Sequence, residues 1–294
     1  MNISRIAVIL TCFNRKPKTL ACLAALEQQE GQQSIQLDVY LVDDGSTDGT
    51  REAVQTAHPN VKIIPGTGGL FWNGGMRLGF AQAIAVGYDY YLWLNDDTLL
   101  YPHAVQTLLN TAQTLAESGE NQAIITASTC DPETKELSYG GVVHHSWWHP
   151  LKFRVIPPTE TAKQCDTMYG NCVLIPQTVV QILGNVESQF THYGGDFDYG
   201  LRAYQHNCSV WIAPGYLATC PRNPPEESIW LSSKMPLQER FKKVLQPKGL
   251  PPKESMIFAR RHAGFLWFFY WLLPYIRLVF APMLPAKQAI GNRQ

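Results

Sequence analysis

The first 120 residues repeat one pattern, and it limits the fold more than any other feature: a short apolar run, a polar turn, then a stretch with helical spacing. Residues 5–12 (RIAVILTC) predict a strand, and 19–28 predict a helix with Leu20, Leu23, Ala24 and Leu26 on one face. A strand near 37–42 leads to a helix ending about 57, and a strand at 61–64 to a helix over 76–86. An aromatic-rich strand at 88–94 precedes a helix from Pro102, a residue suited to a first helical turn. Alternating strands and helices need crossover connections, which leave successive strands parallel. The expectation is an α/β fold, a mostly parallel central sheet with helices on both faces. Beyond about 123 the rhythm changes: strand-like pieces at 123–128, 138–144 and 168–175 and a helix near 196–206 predict an α+β half. The long loop 129–166, rich in Pro, Thr, His and Trp, is of a length that usually carries function or moves.

Ligands of open α/β sheets bind beyond the carboxyl ends of the strands, so the polar residues there come first. The first strand ends in Thr11-Cys12-Phe13-Asn14-Arg15, the second in Asp43-Asp44-Gly45-Ser46-Thr47-Asp48-Gly49-Thr50, and the fourth in Asn95-Asp96-Asp97. Adjacent Asp96 and Asp97 repel unless a cation or donors offset them, and Mg²⁺ or Mn²⁺ shared with a diphosphate would do so. The alternatives are structural: Asp97 capping a helix, and Ser46 or Thr47 capping the helix after a turn. The glycine-rich run from Gly66 through Gly68, Gly69, Gly74 and Gly75 to Arg77 lets backbone approach a phosphate, with Arg77 as a bidentate donor, or is an ordinary turn. Trp72 within it is either a wall for a sugar or core.

The runs TCFNR (11–15), DDGSTDGT (43–50), NDD (95–97) and YGGDFDYGLR (193–202) resemble the successive motifs of family 2 glycosyltransferases, which have the GT-A fold. Their spacing is most similar to the bacterial rhamnosyltransferase-like branch, and the resemblance spans roughly residues 4–215. It implies a nucleotide-sugar donor bound by Thr11, Phe13, Asn14, Arg15, Asp43, Asp44, Gly68, Arg77 and Asp96. It further implies Mg²⁺ or Mn²⁺ held by Asp97, and Asp196 as catalytic base. Trp72, Gly170, Asn171, Gly195 and Asp198 fall on the sugar and acceptor side. Gly195 stands where many members carry Glu. Asp198 and Arg202 have the spacing of a helical ion pair. The implied reaction is inverting transfer, with dTDP-rhamnose as first-choice donor and a UDP-sugar as runner-up, onto a saccharide or polyprenyl-linked acceptor of a bacterial surface polysaccharide. A nucleotidyltransferase would carry a glycine- and arginine-rich loop where this chain reads TCFNRK. An inactive glycan-binding scaffold would not need intact Asp97 and Asp196.

Equal totals of 24 basic and 24 acidic residues hide an asymmetry. Residues 1–233 carry 13 basic against 22 acidic side chains, a net of −9, and residues 234–294 carry 11 against 2, a net of +9. An acidic body excludes nucleic acid as partner, while a basic, apolar tail is attracted to anionic lipid. The sequence divides at 225–226 into a catalytic domain and this tail. Residues 263–276 (AGFLWFFYWLLPYI) are uncharged but short of the ~20 residues that span a bilayer. They predict an interfacial helix, with basic residues from 234 on, giving membrane contact through 234–286; a span and a helix packed on the domain are the alternatives. The N-terminal residues show no leader pattern, which places the body in the cytoplasm at the inner face of the membrane. Seven cysteines, an odd number without a Cys-x-x-Cys pair, predict reduced, buried thiols. His144, His145, His149, Trp147 and Trp148 are read as an aromatic surface for an acceptor sugar or a plain exposed loop, not as a zinc site, since no cysteine or carboxylate lies nearby in sequence.

Overall fold

The computed structural model describes residues 3–31, 33–222 and 235–280. The expected boundary at 225–226 and the end of the apolar window, 281–286, lie outside them. The chain runs β1 (Ser4–Cys12), α1 (Lys16–Glu27), β2 (Ile35–Asp43), α2 (Thr50–Ala57), β3 (Lys62–Pro65), α3 (Phe71–Val86), β4 (Tyr90–Leu94), β5 (Leu99–Leu100) and α4 (Ala104–Glu117). The second half adds β6 (Ala123–Cys130), β7 (Leu137–Tyr139), β8 (Gly141–His144), β9 (Phe153–Val155), β10 (Lys163–Cys165), β11 (Thr167–Met168), β12 (Cys172–Pro176), α5 (Gln177–Leu183), α6 (Gly195–Gln205) and β13 (Ser209–Thr219). Among the described residues after β13 lie α7 (Leu237–Leu245), α8 (Pro252–His262) and α9 (Trp267–Phe280).

The main sheet has the order β10-β13-β6-β12-β4-β1-β2-β3. Its β4-β1-β2-β3 part is wholly parallel, as crossover helices require. β12 runs antiparallel to both β4 and β6, and β10 antiparallel to β13, so the sheet is mostly parallel, as expected, with reversed strands at β12 and at the β10 edge. The reason is the changed rhythm after residue 123: short strands joined by loops can reverse direction without a crossover helix.

Period-two alternation sorts β1 between two cores. Ile6, Val8 and Leu10 pack with Cys22 and Leu23 of α1 and Leu108 of α4, whereas Ala7 and Ile9 pack with Met76 and Phe80 of α3 and Tyr199 of α6. Helices therefore cover both faces. The buried face of α1 includes Thr19 and Cys22, turned slightly from the predicted apolar stripe, because their side chains bond the carbonyls of Arg15 and Asn95. The predicted strand 138–144 is two strands broken at Gly140: β7 stays on β6, and β8 turns into a small sheet ordered β11-β8-β9. That sheet brings Asp166 to His144 (2.8 Å), so a carboxylate does lie beside the histidine cluster, delivered by folding rather than by sequence spacing.

All seven cysteines are buried and unpaired. No helix among the described residues is long and apolar enough to cross a membrane.

The C-terminal helices join the body through buried charge. Fully buried Asp198 of α6 accepts from Arg202 (2.8 Å), from Arg261 (2.6 Å) and from His262 (2.9 Å), both of α8. Burial alone would raise its carboxyl pKa, but the bond to His262 and the charges of Arg202 and Arg261 hold it below the usual range. Arg261 also pairs with Glu187 (2.9 Å), and Glu254 accepts from the backbone and hydroxyl of Thr191. Arg240 of α7, buried as well, donates to the carbonyl of Leu278 in α9. Two of the basic residues read as lipid-attracting, Arg240 and Arg261, are thus spent inside the protein.

Removing the acid from this cluster takes the shared acceptor from half-buried Arg202 and Arg261 and from buried His262. Asp198→Ala is expected to cost about 3–5 kcal/mol of stability, read as a lowered urea midpoint, whereas Glu239→Ala on exposed α7 should shift it by less than about 0.5 kcal/mol.

Candidate active site

The parallel register of β1 against β2 and β4 brings three strand ends to one edge. Cys12 pairs with Asp43, and Asn95-Asp96-Asp97 follow β4 directly. Asn14, at φ +51°, locks the first two ends together: its backbone N–H donates to Ser46 Oγ (2.9 Å) and its Oδ1 accepts from Thr47 N–H (2.7 Å). Buried Asp43 accepts from Ser46 N–H and faces Arg51 at 3.7 Å. The helix that follows has Gly49 at its N-cap, not Ser46 or Thr47, and Asp48 just before it accepts from Thr50 N–H. Phe13 is exposed at this rim.

Asp44 anchors the neighbouring loop. Its Oδ1 accepts from Gly68 N–H (2.8 Å) and its Oδ2 from Leu70 (2.8 Å) and Phe71 (3.1 Å). These bonds hold Phe71 at φ +53°, a conformation that a bulky residue resists, and Gly68 at φ +86°, which glycine adopts freely. The run read as a glycine-rich turn becomes helix at Phe71, five residues before the predicted start. Gly75 lies inside α3 because a Cβ there would fall 2.1 Å from Thr11 Oγ1. Arg77, two residues on and so about 200° around the helix, points away from Thr11. It lines a hollow with Leu70, Gly74, Leu183, Asn185 and Arg202.

Asp96 and Asp97 are both buried, and one nitrogen of the half-exposed Arg15 bridges them at 2.9 Å to each. Lys18, one helical turn beyond Arg15, stands 3.6 Å from Asp97. Burial pushes the Asp96 carboxyl up to about 6 against the pull of Arg15, and Asp97 beside it pushes the same way. Among the described residues no group of three His, Cys, Asp or Glu is placed to hold a metal ion by itself. The protein therefore offers two hard carboxylates, which fit Mg²⁺ or Mn²⁺ when a diphosphate and water complete the shell.

Asp196 stands at the N-terminal end of α6, behind Gly194 at φ +82°. Gly170 N–H donates to its Oδ2 (2.9 Å) and Phe197 N–H to its Oδ1 (2.8 Å). Burial pushes this carboxyl up to about 6, and those backbone donors pull it partly back. Gly170 must be glycine, since a Cβ there would lie 2.5 Å from the Trp72 ring and 3.2 Å from the Asp196 Cβ. The Trp72 indole N–H in turn donates to Asn95 Oδ1 (2.7 Å), one residue before Asp96. Trp72 thus forms the wall between the carboxylate pair and the single acid. His192 backs it, accepting from Trp72 N–H; burial, then Lys248 and Arg15, push its imidazole down to about 4, so it is neutral.

Two residues placed on the acceptor side by sequence are elsewhere. Asp198 is sealed in the ion cluster above and meets no solvent. Asn171 is buried beneath the pair, its amide donating to Cys220 Sγ (3.3 Å), which lies 3.7 Å from Asp97 Oδ1. Gly195 is explained by its neighbour: a Cβ there would fall 1.7 Å from Oδ1 of buried Asn73, whose amide is fixed on the carbonyls of Glu187 (2.8 Å) and Phe190 (2.7 Å). Sequence reasoning missed Lys18, Asn73, His192 and Cys220, and named Asn95 only as part of the Asn95-Asp96-Asp97 run. Only Lys18 carried a signal, its i,i+3 spacing from Arg15; Cys220 meets Asp97 across 123 positions.

A mixed α/β sheet with carboxylates at the ends of its parallel strands, facing a further acid at a helix start, is the GT-A architecture of enzymes that act on nucleotide sugars. Residues 7–178 match the family model "Glycosyl transferase family 2", and the chain belongs to that family of glycosyltransferases. Its fold is similar to that of the mannosyltransferase PcManGT from Pyrobaculum calidifontis, solved with GDP-Man and Mn²⁺, at a TM-score of 0.54 and 16% identity over 99% of this chain and 77% of that one. A search of curated proteins finds no match.

The packing of Asn73 on Gly195 is testable by a double-mutant cycle. Gly195→Ala should destabilise the fold by about 1–3 kcal/mol in chemical denaturation, and most of that cost should vanish when it is made in an Asn73→Ala background. Additive costs would mean that the two residues do not press on each other.

Proposed function

We propose that this chain is an inverting, divalent-cation-dependent glycosyltransferase using a nucleotide-diphosphate sugar, with Asp97 and Asp96 toward the cation and ribose and Asp196 as the base. The observation that carries this reading is the link through Gly170: its N–H holds Asp196, and its bare Cα admits the Trp72 ring, whose indole reaches Asn95 beside Asp96. Cation site and base therefore share one wall.

When bound, Mg²⁺ or Mn²⁺ would neutralise charge developing on the departing diphosphate. The rest is work for side chains of the chain itself. Arg15 and Lys18, 2.9 and 3.6 Å from Asp97, can turn their donors to phosphate oxygens once the acid pair is otherwise balanced. Asp196 accepts the proton of an acceptor hydroxyl as its oxygen bonds to the anomeric carbon. The electron pair of the breaking bond leaves with the nucleoside diphosphate. Attack opposite the leaving group inverts the centre through a transition state of oxocarbenium character, without a covalent enzyme intermediate. The two backbone N–H groups on Asp196 hold it in place and leave lone pairs for that proton.

dTDP-rhamnose is the donor we put first, on motif resemblance, with UDP-sugars second. The acceptor we assign is a saccharide, free or on a polyprenyl lipid, in bacterial surface-polysaccharide synthesis at the cytoplasmic face of the membrane. The basic, aromatic C-terminal segment supports that location. A thermal-shift panel of dTDP-, UDP- and GDP-sugars with Mn²⁺ tests the donor, because the true ligand raises the melting temperature by mass action. No stabilisation by any member, with folded protein, would favour an inactive scaffold.

Asp196 acts as a base only when ionised, so turnover should be full well above pH 6 and fall about tenfold per unit below it. Asp196→Asn should lower kcat about 10²–10⁴-fold while the donor Kd stays within about twofold. An unchanged acid limb in a variant with residual activity would assign the titration to another group.

A further inference from the structure

The loop between β8 and β9 carries two neighbouring tryptophans turned outward, Trp147 at 97% and Trp148 at 57% of full exposure. An indole in water is costly, and two together on a body otherwise well packed need a partner. The loop is not free of the rest of the molecule. The Tyr270 hydroxyl of α9 donates to the carbonyl of Trp148, and the Tyr270 ring lies 4.8 Å from the ring of His149. Loop and C-terminal helix thus adjoin in one surface, although 122 residues separate the bonded pair.

The helix presents the same chemistry. Trp271, Tyr275 and Leu278 turn inward: Trp271 donates to the Pro252 carbonyl, Tyr275 to that of Leu250, and Leu278 is fully buried. On the remaining arc Phe269, Ile276 and Phe280 are exposed, and Phe265 just before the helix is 98% exposed. Basic groups flank the junction: after burial, Arg277 and Lys152 are the charges that lower the His149 pKa, so both stand near its ring. Outward aromatics edged by Arg and Lys are the composition of a surface lying at the boundary of an anionic bilayer.

We infer that Trp147 and Trp148 and the outer face of α9 form one two-part docking surface for an anionic phospholipid bilayer. The inference rests on the reading of the C-terminal segment as membrane-facing and adds the catalytic body to it. A second consequence is orientation. The same β8–β9 hairpin packs Phe153 on Phe197 (5.4 Å), and Phe197 donates its backbone N–H to Asp196 and meets Tyr169, beside Gly170, edge to face. Two anchors, one on the hairpin and one on the tail, fix a plane, whereas a tail alone would let the body swing. The docked hairpin therefore holds the proposed base at a set height above the lipid, where a lipid-linked hydroxyl could be presented.

The test is co-sedimentation of the full-length protein with vesicles of phosphatidylglycerol and phosphatidylcholine, against phosphatidylcholine alone. The wild type should partition to the anionic vesicles. Trp147→Ser/Trp148→Ser should partition about tenfold or more weakly while keeping the donor-induced thermal shift, and Trp147→Phe/Trp148→Phe should retain most binding. Brominated lipid should quench the wild type more than that Phe variant, which places the loop itself in the interface. A wild type that ignores both vesicles overturns the inference, as does a serine variant that partitions like wild type. If the serine variant instead changes the mass measured by light scattering, the face is a contact between two copies and the lipid assignment is wrong. Binding to lipid without nucleotide-sugar turnover would leave this surface standing while removing the proposed reaction.

Discussion

A carboxylate taken out of water has to be met by charge or by hydrogen-bond donors, and this chain buries Asp43, Asp44, Asp96, Asp97 and Asp198. Each one recruits a segment. Asp43 holds the turn after β2, Asp44 draws in the start of α3 through three N–H groups, and Asp96 with Asp97 pulls α1 onto the end of β4 through Arg15. Asp198 fastens the C-terminal α8 to α6. The site is built by these compensations rather than merely lined by them.

Against that background Asp196 stands apart, with two backbone donors and, among the described residues, no cation partner. Its environment withholds the charge that would make it a weak base, which is the physical difference between it and Asp198 two residues later on the same helix. Two acids of one motif thus have opposite tasks: burial raises one to about 6, while the other, held below the usual carboxylate range by its partners, serves as a structural link. The pair at Asp96 and Asp97 is balanced by Arg15 and Lys18, side chains exposed enough to move when another positive charge arrives.

The C-terminal segment likewise has two sides. Arg240, Arg261, His262, Trp271 and Tyr275 face protein, while Phe265, Phe269, Ile276 and Phe280 face outward. Its charge and aromatic content were plain in the sequence, but composition does not say which residues serve packing and which remain for a partner. Arg261 illustrates the difference: it counts toward a basic tail and in fact closes a buried cluster with Glu187 and Asp198.

Read without coordinates, the chain already determines its strand–helix order, the three polar strand ends and the helix that begins near Asp196, because these depend on hydrophobic period and local turn chemistry, which act over a few residues. Parallel strands then carry Thr11, Asp43, Asp44, Asp96 and Asp97 to one edge almost by necessity. The reversal of β12, the hollow around Arg77, the burial of Asn171 and Asp198, and the lock of Asn73 on Gly195 were decided only by the tertiary structure. Each depends on which atoms meet across tens or hundreds of positions, and a contact such as Cys220 with Asp97 leaves no periodicity for a sequence to display.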